Sequence, residues 1–192
     1  MVLCMIMNIR YVDNTRKKIN TITHALFLVL FLFIFVPTVG GSSPVILAFG
    51  NSLTAGFGVP DDQSYPSRLQ DILVQNGYPH KVINAGVSGD TTAGGLRRIK
   101  WLMKHAPEIV ILELGANDGL RGLSIKAMEF NLDKIIGICE ERGAKVLLTG
   151  MKAPPNYGEE YTVEFEKVFI RLAEKYDLSL VPFFLEGVAG VR

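Results

Sequence analysis

The chain has 192 residues, 48% of them apolar, with 20 Lys and Arg set against 19 Asp and Glu. That is enough for one ordinary domain and short for two, and the near-zero charge argues against both a disordered polar tail and a dedicated nucleic-acid binder. Its two cysteines, Cys4 and Cys139, make neither a disulfide framework nor a multi-cysteine zinc site.

The first forty residues differ from the rest. Arg10, Arg16, Lys17 and Lys18 come first, then an apolar run over 25–36, then Pro37 and the small residues Val39-Gly40-Gly41-Ser42-Ser43. Basic, apolar and small in that order is the pattern of a secretory signal peptide. The run is well short of the ~20 residues that cross a bilayer as a helix. Residues 1–41 are therefore expected to be a signal with cleavage near Gly41, an uncleaved N-terminal anchor being the second choice. The domain is expected over 42–192, exported to the periplasm or secreted, monomeric, and touching membrane only through the leader. Cys139, set in Ile136-Gly137-Ile138-Cys139, is expected to be a packed apolar residue.

Beyond the leader the pattern alternates. Residues 45–49 (VILAF) form a short apolar run ending at Gly50, as a buried strand does. Leu69, Ile72 and Leu73 at helical spacing predict a helix over 64–76, stopped by Gly77. A second strand is predicted over 81–85, a helix over 91–104 weakened by Gly94-Gly95, and a third strand over 108–114 (EIVILEL). A long helix over 124–142 ends at Gly143, a fourth strand covers 145–149, a helix 160–176, and a fifth strand 178–182. Alternation of this kind predicts an α/β fold, a parallel sheet with helices on both faces.

Such sheets bind ligands beyond the carboxyl ends of their strands. The segments there are Gly50-Asn51-Ser52-Leu53, Gly86-Val87-Ser88-Gly89-Asp90 and Gly115-Ala116-Asn117-Asp118. Ser52, on a strand-to-helix turn, is placed as a nucleophile, although the residue two after it is Thr54 and the general G-x-S-x-G elbow is not present. A serine after a strand also serves as a helix cap. The backbone N–H groups of Ser52 and Gly89 and the side-chain amide of Asn117 offer donors for an oxyanion. Each has a plain structural reading too, Gly89 as a turn residue and Asn117 as a cap. Their convergence after successive strands of one sheet favours chemistry.

Phe49-Gly50-Asn51-Ser52-Leu53-Thr54-Ala55-Gly56 resembles the first block of the GDSL, or SGNH, hydrolases. Asn84-Ala85-Gly86-Val87-Ser88-Gly89-Asp90-Thr91 resembles their second block, and Glu113-Leu114-Gly115-Ala116-Asn117-Asp118-Gly119-Leu120-Arg121-Gly122 their third. The loop Pro154-Pro155-Asn156-Tyr157-Gly158 and the ending Pro182-Phe183-Phe184 are similar to the branch of secreted thioesterases I, lysophospholipases and arylesterases. The resemblance runs from about residue 44 to the end. It implies a flavodoxin-like three-layer sandwich on a five-stranded parallel sheet, with Ser52 as nucleophile and Gly89 and Asn117 completing the oxyanion hole. It implies hydrolysis of small ester or thioester substrates through an acyl-enzyme, with no metal and no organic cofactor. Asp90, Leu120 and Tyr157 are candidate substrate-binding residues; Leu120, Tyr157 and Phe184 are equally readable as packing.

The chain departs from the family pattern twice. Asn51 stands where the family usually has Asp, keeping the shape and losing the charge. The family's late D-x-x-H block, source of the general base, and the final helix that follows it do not occur before Arg192. His24 lies in the leader, while His80 and His105 precede the second and third strands and are expected at the amino edge of the sheet. General-base help is worth about a hundred- to ten-thousandfold in rate, so weak or no activity is expected of this chain, along with reduced stability. A non-catalytic exported module that binds acyl or glycan ligands is the alternative. A flavin or phosphate binder is disfavoured by the lack of a Gly-rich phosphate loop at the first strand.

Overall fold

The computed structural model describes residues 43–188; the expected leader over 1–41 lies outside them. In chain order the elements are β1 (Val45–Gly50), α1 (Ser52–Ala55), α2 (Tyr65–Gln75), β2 (Lys81–Gly86), α3 (Thr92–Leu102), β3 (Ile109–Glu113), α4 (Ala116–Leu120), α5 (Ile125–Glu141), β4 (Lys145–Thr149), α6 (Glu159–Tyr176) and β5 (Ser179–Val181). Short 3-10 turns sit at Asp61–Gln63, Met103–His105 and Pro155–Tyr157. All five strands and four long helices anticipated from the sequence are present. The two additional helices, α1 and α4, are one turn each and lie in the Gly-, Ser- and Asn-rich segments after β1 and β3.

The strands form one parallel sheet in the order β2-β1-β3-β4-β5. Side chains alternate across a strand, so the register sorts the sheet into two faces. Leu47, Phe49, Val110, Leu112, Val146 and Leu148 point to one face and enter the main core with Ile99 and Leu102 of α3, Leu132, Ile135 and Ile136 of α5, and Phe165, Phe169 and Leu172 of α6. On the other face lie Ile46, Ala48, Gly50, Ile111 and Glu113, and α2 covers β2 there through Pro66 and Gln70 beside Val82 and Asn84. The result is the three-layer α/β/α sandwich expected above. Cys139 is fully buried in this core, where burial pushes its thiol up to about 12, as for a packed apolar residue.

The two glycines that weaken α3 on propensity earn their place in packing. A Cβ on Gly95 would meet the Leu114 side chain, with the Phe49 ring 3.3 Å away. One on Gly94 would collide with the Asp90 carboxylate. The chain turns from β2 to β3 across β1, so the crevice between β1 and β3 is the point where the winding reverses, where open α/β sheets build their sites.

Candidate active site

Ser52 is the first residue of α1, just beyond β1, the strand that lies between β2 and β3. The cap of that helix is Asn51, whose Oδ1 accepts from the Leu53 N–H at 2.9 Å. Ser52 is thereby free of the capping duty that the sequence left open to it. Its hydroxyl is partly exposed and has Asn51 Oδ1 as an acceptor at 3.4 Å.

Asn51 is held in turn by a buried carboxylate that the sequence reading passed over. Glu113, at the end of β3 and fully shielded from solvent, accepts from Asn51 N–H at 3.1 Å and Thr54 Oγ1 at 2.8 Å on one oxygen, and from Asn51 Nδ2 at 2.7 Å on the other. Burial pushes Glu113 up to about 7, the three donors pulling the other way. The phenol of Tyr65, on α2, lies 3.2 Å from Thr54 Oγ1 and is raised above its ordinary range by burial. Gly50 makes room for this cluster: a Cβ there would strike Thr54 Oγ1 and come within 2.5 Å of a Glu113 oxygen.

The segments after β2 and β3 flank the serine, because β1 lies between those strands. Gly89 has φ +79, a left-handed turn conformation that favours glycine, and Arg121 Nη2 donates to its carbonyl at 2.9 Å. Asn117 is the second residue of α4 and caps nothing; its Nδ2 donates to the Asp90 carbonyl at 2.8 Å, which ties it to the Gly89 turn. An amide carries two N–H bonds, so one remains for a ligand. Val87 N–H donates to the Gly50 carbonyl at 3.0 Å, joining the second segment to the first.

The other candidates have engagements of their own. The Asp90 carboxylate receives Arg98 Nε at 2.7 Å, and the same guanidinium reaches the carbonyls of Ala85 and Gly50 and lies 4.2 Å over the Phe49 ring. Arg98 is thus a second residue the sequence reading missed; it lies on α3, while Asp90 stands in the turn just ahead of that helix. Asp118 is buried, accepts from Thr92 N–H and Oγ1, and is raised by that burial. Leu120 is exposed, and Tyr157 donates from its hydroxyl to the Leu120 carbonyl at 2.9 Å. Phe184 packs edge-on against Tyr65.

His80 and His105 stand at the opposite edge. His80 immediately precedes β2 and lies 3.8 Å from Glu108, and His105 closes the 3-10 turn before β3. Among the described residues no imidazole faces Ser52. The site holds a hydroxyl, a central turn braced by Glu113, and donors from two flanking loops.

The model of the GDSL-like lipase/acylhydrolase family matches residues 48–190. An arylesterase of Vibrio mimicus is 43% identical over 160 residues, 83% of this chain and 80% of that protein. Thioesterase 1/protease 1/lysophospholipase L1 of Escherichia coli K12 is 37% identical over 164 residues, 85% of this chain and 75% of that protein. Among solved structures, AlinE4, an SGNH-hydrolase family esterase, superposes with a TM-score of 0.74 at 52% identity, covering 78% of this chain and 81% of that one.

Proposed function

The chain belongs to the GDSL-like lipase/acylhydrolase family, and from that premise we propose that it hydrolyses carboxylic esters and thioesters through an acyl-enzyme formed on Ser52. The observation that carries this reading is the capped turn, which frees the Ser52 hydroxyl at the end of β1, between the Gly89 and Asn117 loops. Ser52 Oγ attacks the acyl carbon and the alcohol or thiol departs, leaving an ester on Ser52 that water then cleaves. The Ser52 and Gly89 N–H groups and the free N–H of Asn117 meet the developing oxyanion. Asp90 is not needed as a ligand in this scheme, since its carboxylate anchors Arg98. Aryl esters, lysophospholipids and acyl thioesters are the substrate classes proposed, in keeping with the names of the relatives. Leu120 and Tyr157 are proposed to line the acyl side. Residues 1–41 are proposed to direct export.

Proton removal from Ser52 is the slow element, because the described residues bring no imidazole to it. Added imidazole is accordingly expected to raise turnover. The direct check is p-nitrophenyl butyrate hydrolysis with and without imidazole. Ser52→Ala is expected to remove it, and Asn117→Ala to lower kcat about a hundred- to a thousandfold. Hydrolysis that survives Ser52→Ala would reject the assignment.

A further inference from the structure

Glu113 and Asn51 form a buried pair whose hydrogen bonds are those of an ionised carboxylate. An ionised carboxylate accepts at every site, and here it takes two donors on one oxygen and the Asn51 amide on the other. The amide is thereby oriented, Nδ2 towards Glu113 and Oδ1 towards Leu53 N–H and Ser52 Oγ. A proton arriving on Glu113 has few places to go. The oxygen that serves Thr54 and the backbone N–H of Asn51 is crowded by two donors, one of which cannot rotate. The other oxygen faces only the Asn51 amide, which can turn over about its own bond.

We propose that Glu113 is a positioning residue for Ser52, and that its protonation turns the Asn51 amide over and reverses the hydrogen bond at the Ser52 hydroxyl. This deepens the esterase reading given above and rests on it for the link to turnover. In the turned state Asn51 Oδ1 accepts the Glu113 proton, and Nδ2 faces Leu53 N–H, so α1 loses its cap. The Ser52 hydroxyl then meets a donor where it had an acceptor. Burial has already moved Glu113 towards neutrality, which puts the change within an ordinary pH range.

The surroundings leave Glu113 as the group that changes charge. Tyr65 of α2 is held as the phenol by burial. Arg98 of α3 is the charged neighbour, but its donors are spent on the Ala85 and Gly50 carbonyls and on Asp90, with which it is paired. Thr54 of α1 and Thr149, which follows the β3 pairing on β4 and donates to the Leu112 carbonyl, are neutral.

The test follows the Asn51 side-chain amide and the Leu53 backbone amide by NMR in the full chain between pH 5 and pH 9, beside the pH profile of ester hydrolysis. Both amide signals are expected to move together with one midpoint in the native chain. In Glu113→Gln, whose amide mimics the protonated acid, they are expected at their acid positions throughout. The same variant is expected to lose about ten- to a hundredfold in kcat with KM unchanged. Amide signals that stay fixed while Thr54 and Tyr65 respond would overturn the proposal, since the proton would then have gone through those hydroxyls. So would a Glu113→Gln enzyme with native kcat. If Glu113→Gln does not fold, the titration of the native chain alone decides. Absence of any Ser52-dependent hydrolysis counts against the esterase reading, and the amide titration still decides the switch.

Discussion

Glu113 is a carboxylate held out of water beside Ser52's turn, and its consequence for stability has a definite sign. Burial raises it from 4.5 to about 7, so the folded chain holds a proton that the unfolded chain has released across that window. The stabilisation is complete below about pH 4.5 and is lost as pH rises through about 7. Across the window the loss amounts to about 3 kcal/mol. Urea unfolding of the native chain and Glu113→Gln across this range is expected to show the variant gaining on the native chain as pH rises; parallel curves would remove the assignment. The opposite outcome holds for Asn51→Asp, which sets a second carboxyl against Glu113 Oε1, now 2.7 Å from the amide. Two carboxyls so close keep a proton between them, so the acid limb of the hydrolysis profile is expected to move to higher pH.

Elements are where sequence and structure part most clearly. The five strands were legible as apolar runs, and the long helices from their spacing and their stop residues, Gly77 and Gly143. The one-turn helices α1 (SLTA) and α4 (ANDGL) were not, because four or five residues are too few to carry a periodicity, and their geometry is set by Asn51 and by tertiary contacts. Ser52, Gly89 and Asn117 could be found from their places after successive strands. Glu113 could not be found that way, being read as one more residue of EIVILEL. A lone carboxylate in a run otherwise buried was the signal, since such a group requires partners. Gly94 and Gly95 were legible only as a weakness at the start of the predicted helix; the helix forms, and the two glycines serve its packing. Gly94→Ala tests this. Helix preference favours alanine by roughly 0.5–1 kcal/mol, and overpacking against Asp90 costs typically about 1–3 kcal/mol. The packing cost wins, so a lower denaturant midpoint is expected, with slower hydrolysis as the Asp90–Arg98 anchor shifts the Gly89 turn. A raised midpoint would show the contact to be incidental.

Across the whole molecule, topology separates the two ends of the sheet. β1 carries six residues at roughly 3.3 Å each, so the amino edge with His80 and His105 is about 15–20 Å from Ser52. His80→Ala and His105→Ala are therefore expected to leave the hydrolysis rate unchanged, and a large drop in either would place an imidazole in the mechanism. Stability rests on the α3–α5–α6 side of the sheet. Phe165→Ala, which empties a fully buried ring packed against Gly119 and Phe169, is expected to cost about 3–5 kcal/mol. The partly exposed ion pairs of Arg171 with Glu129 and Glu164 on the same side are worth far less, typically about 0.2–1 kcal/mol each. Chemical denaturation of Phe165→Ala beside Arg171→Ala separates the two contributions.

The central claim is that Ser52 takes the acyl group, and mass spectrometry of the full chain mixed with p-nitrophenyl butyrate and quenched during turnover tests it most directly. A butyryl adduct on the peptide that carries Ser52, absent from Ser52→Ala, is the predicted result. Ester hydrolysis with no adduct there, or with the adduct on another residue, would contradict it.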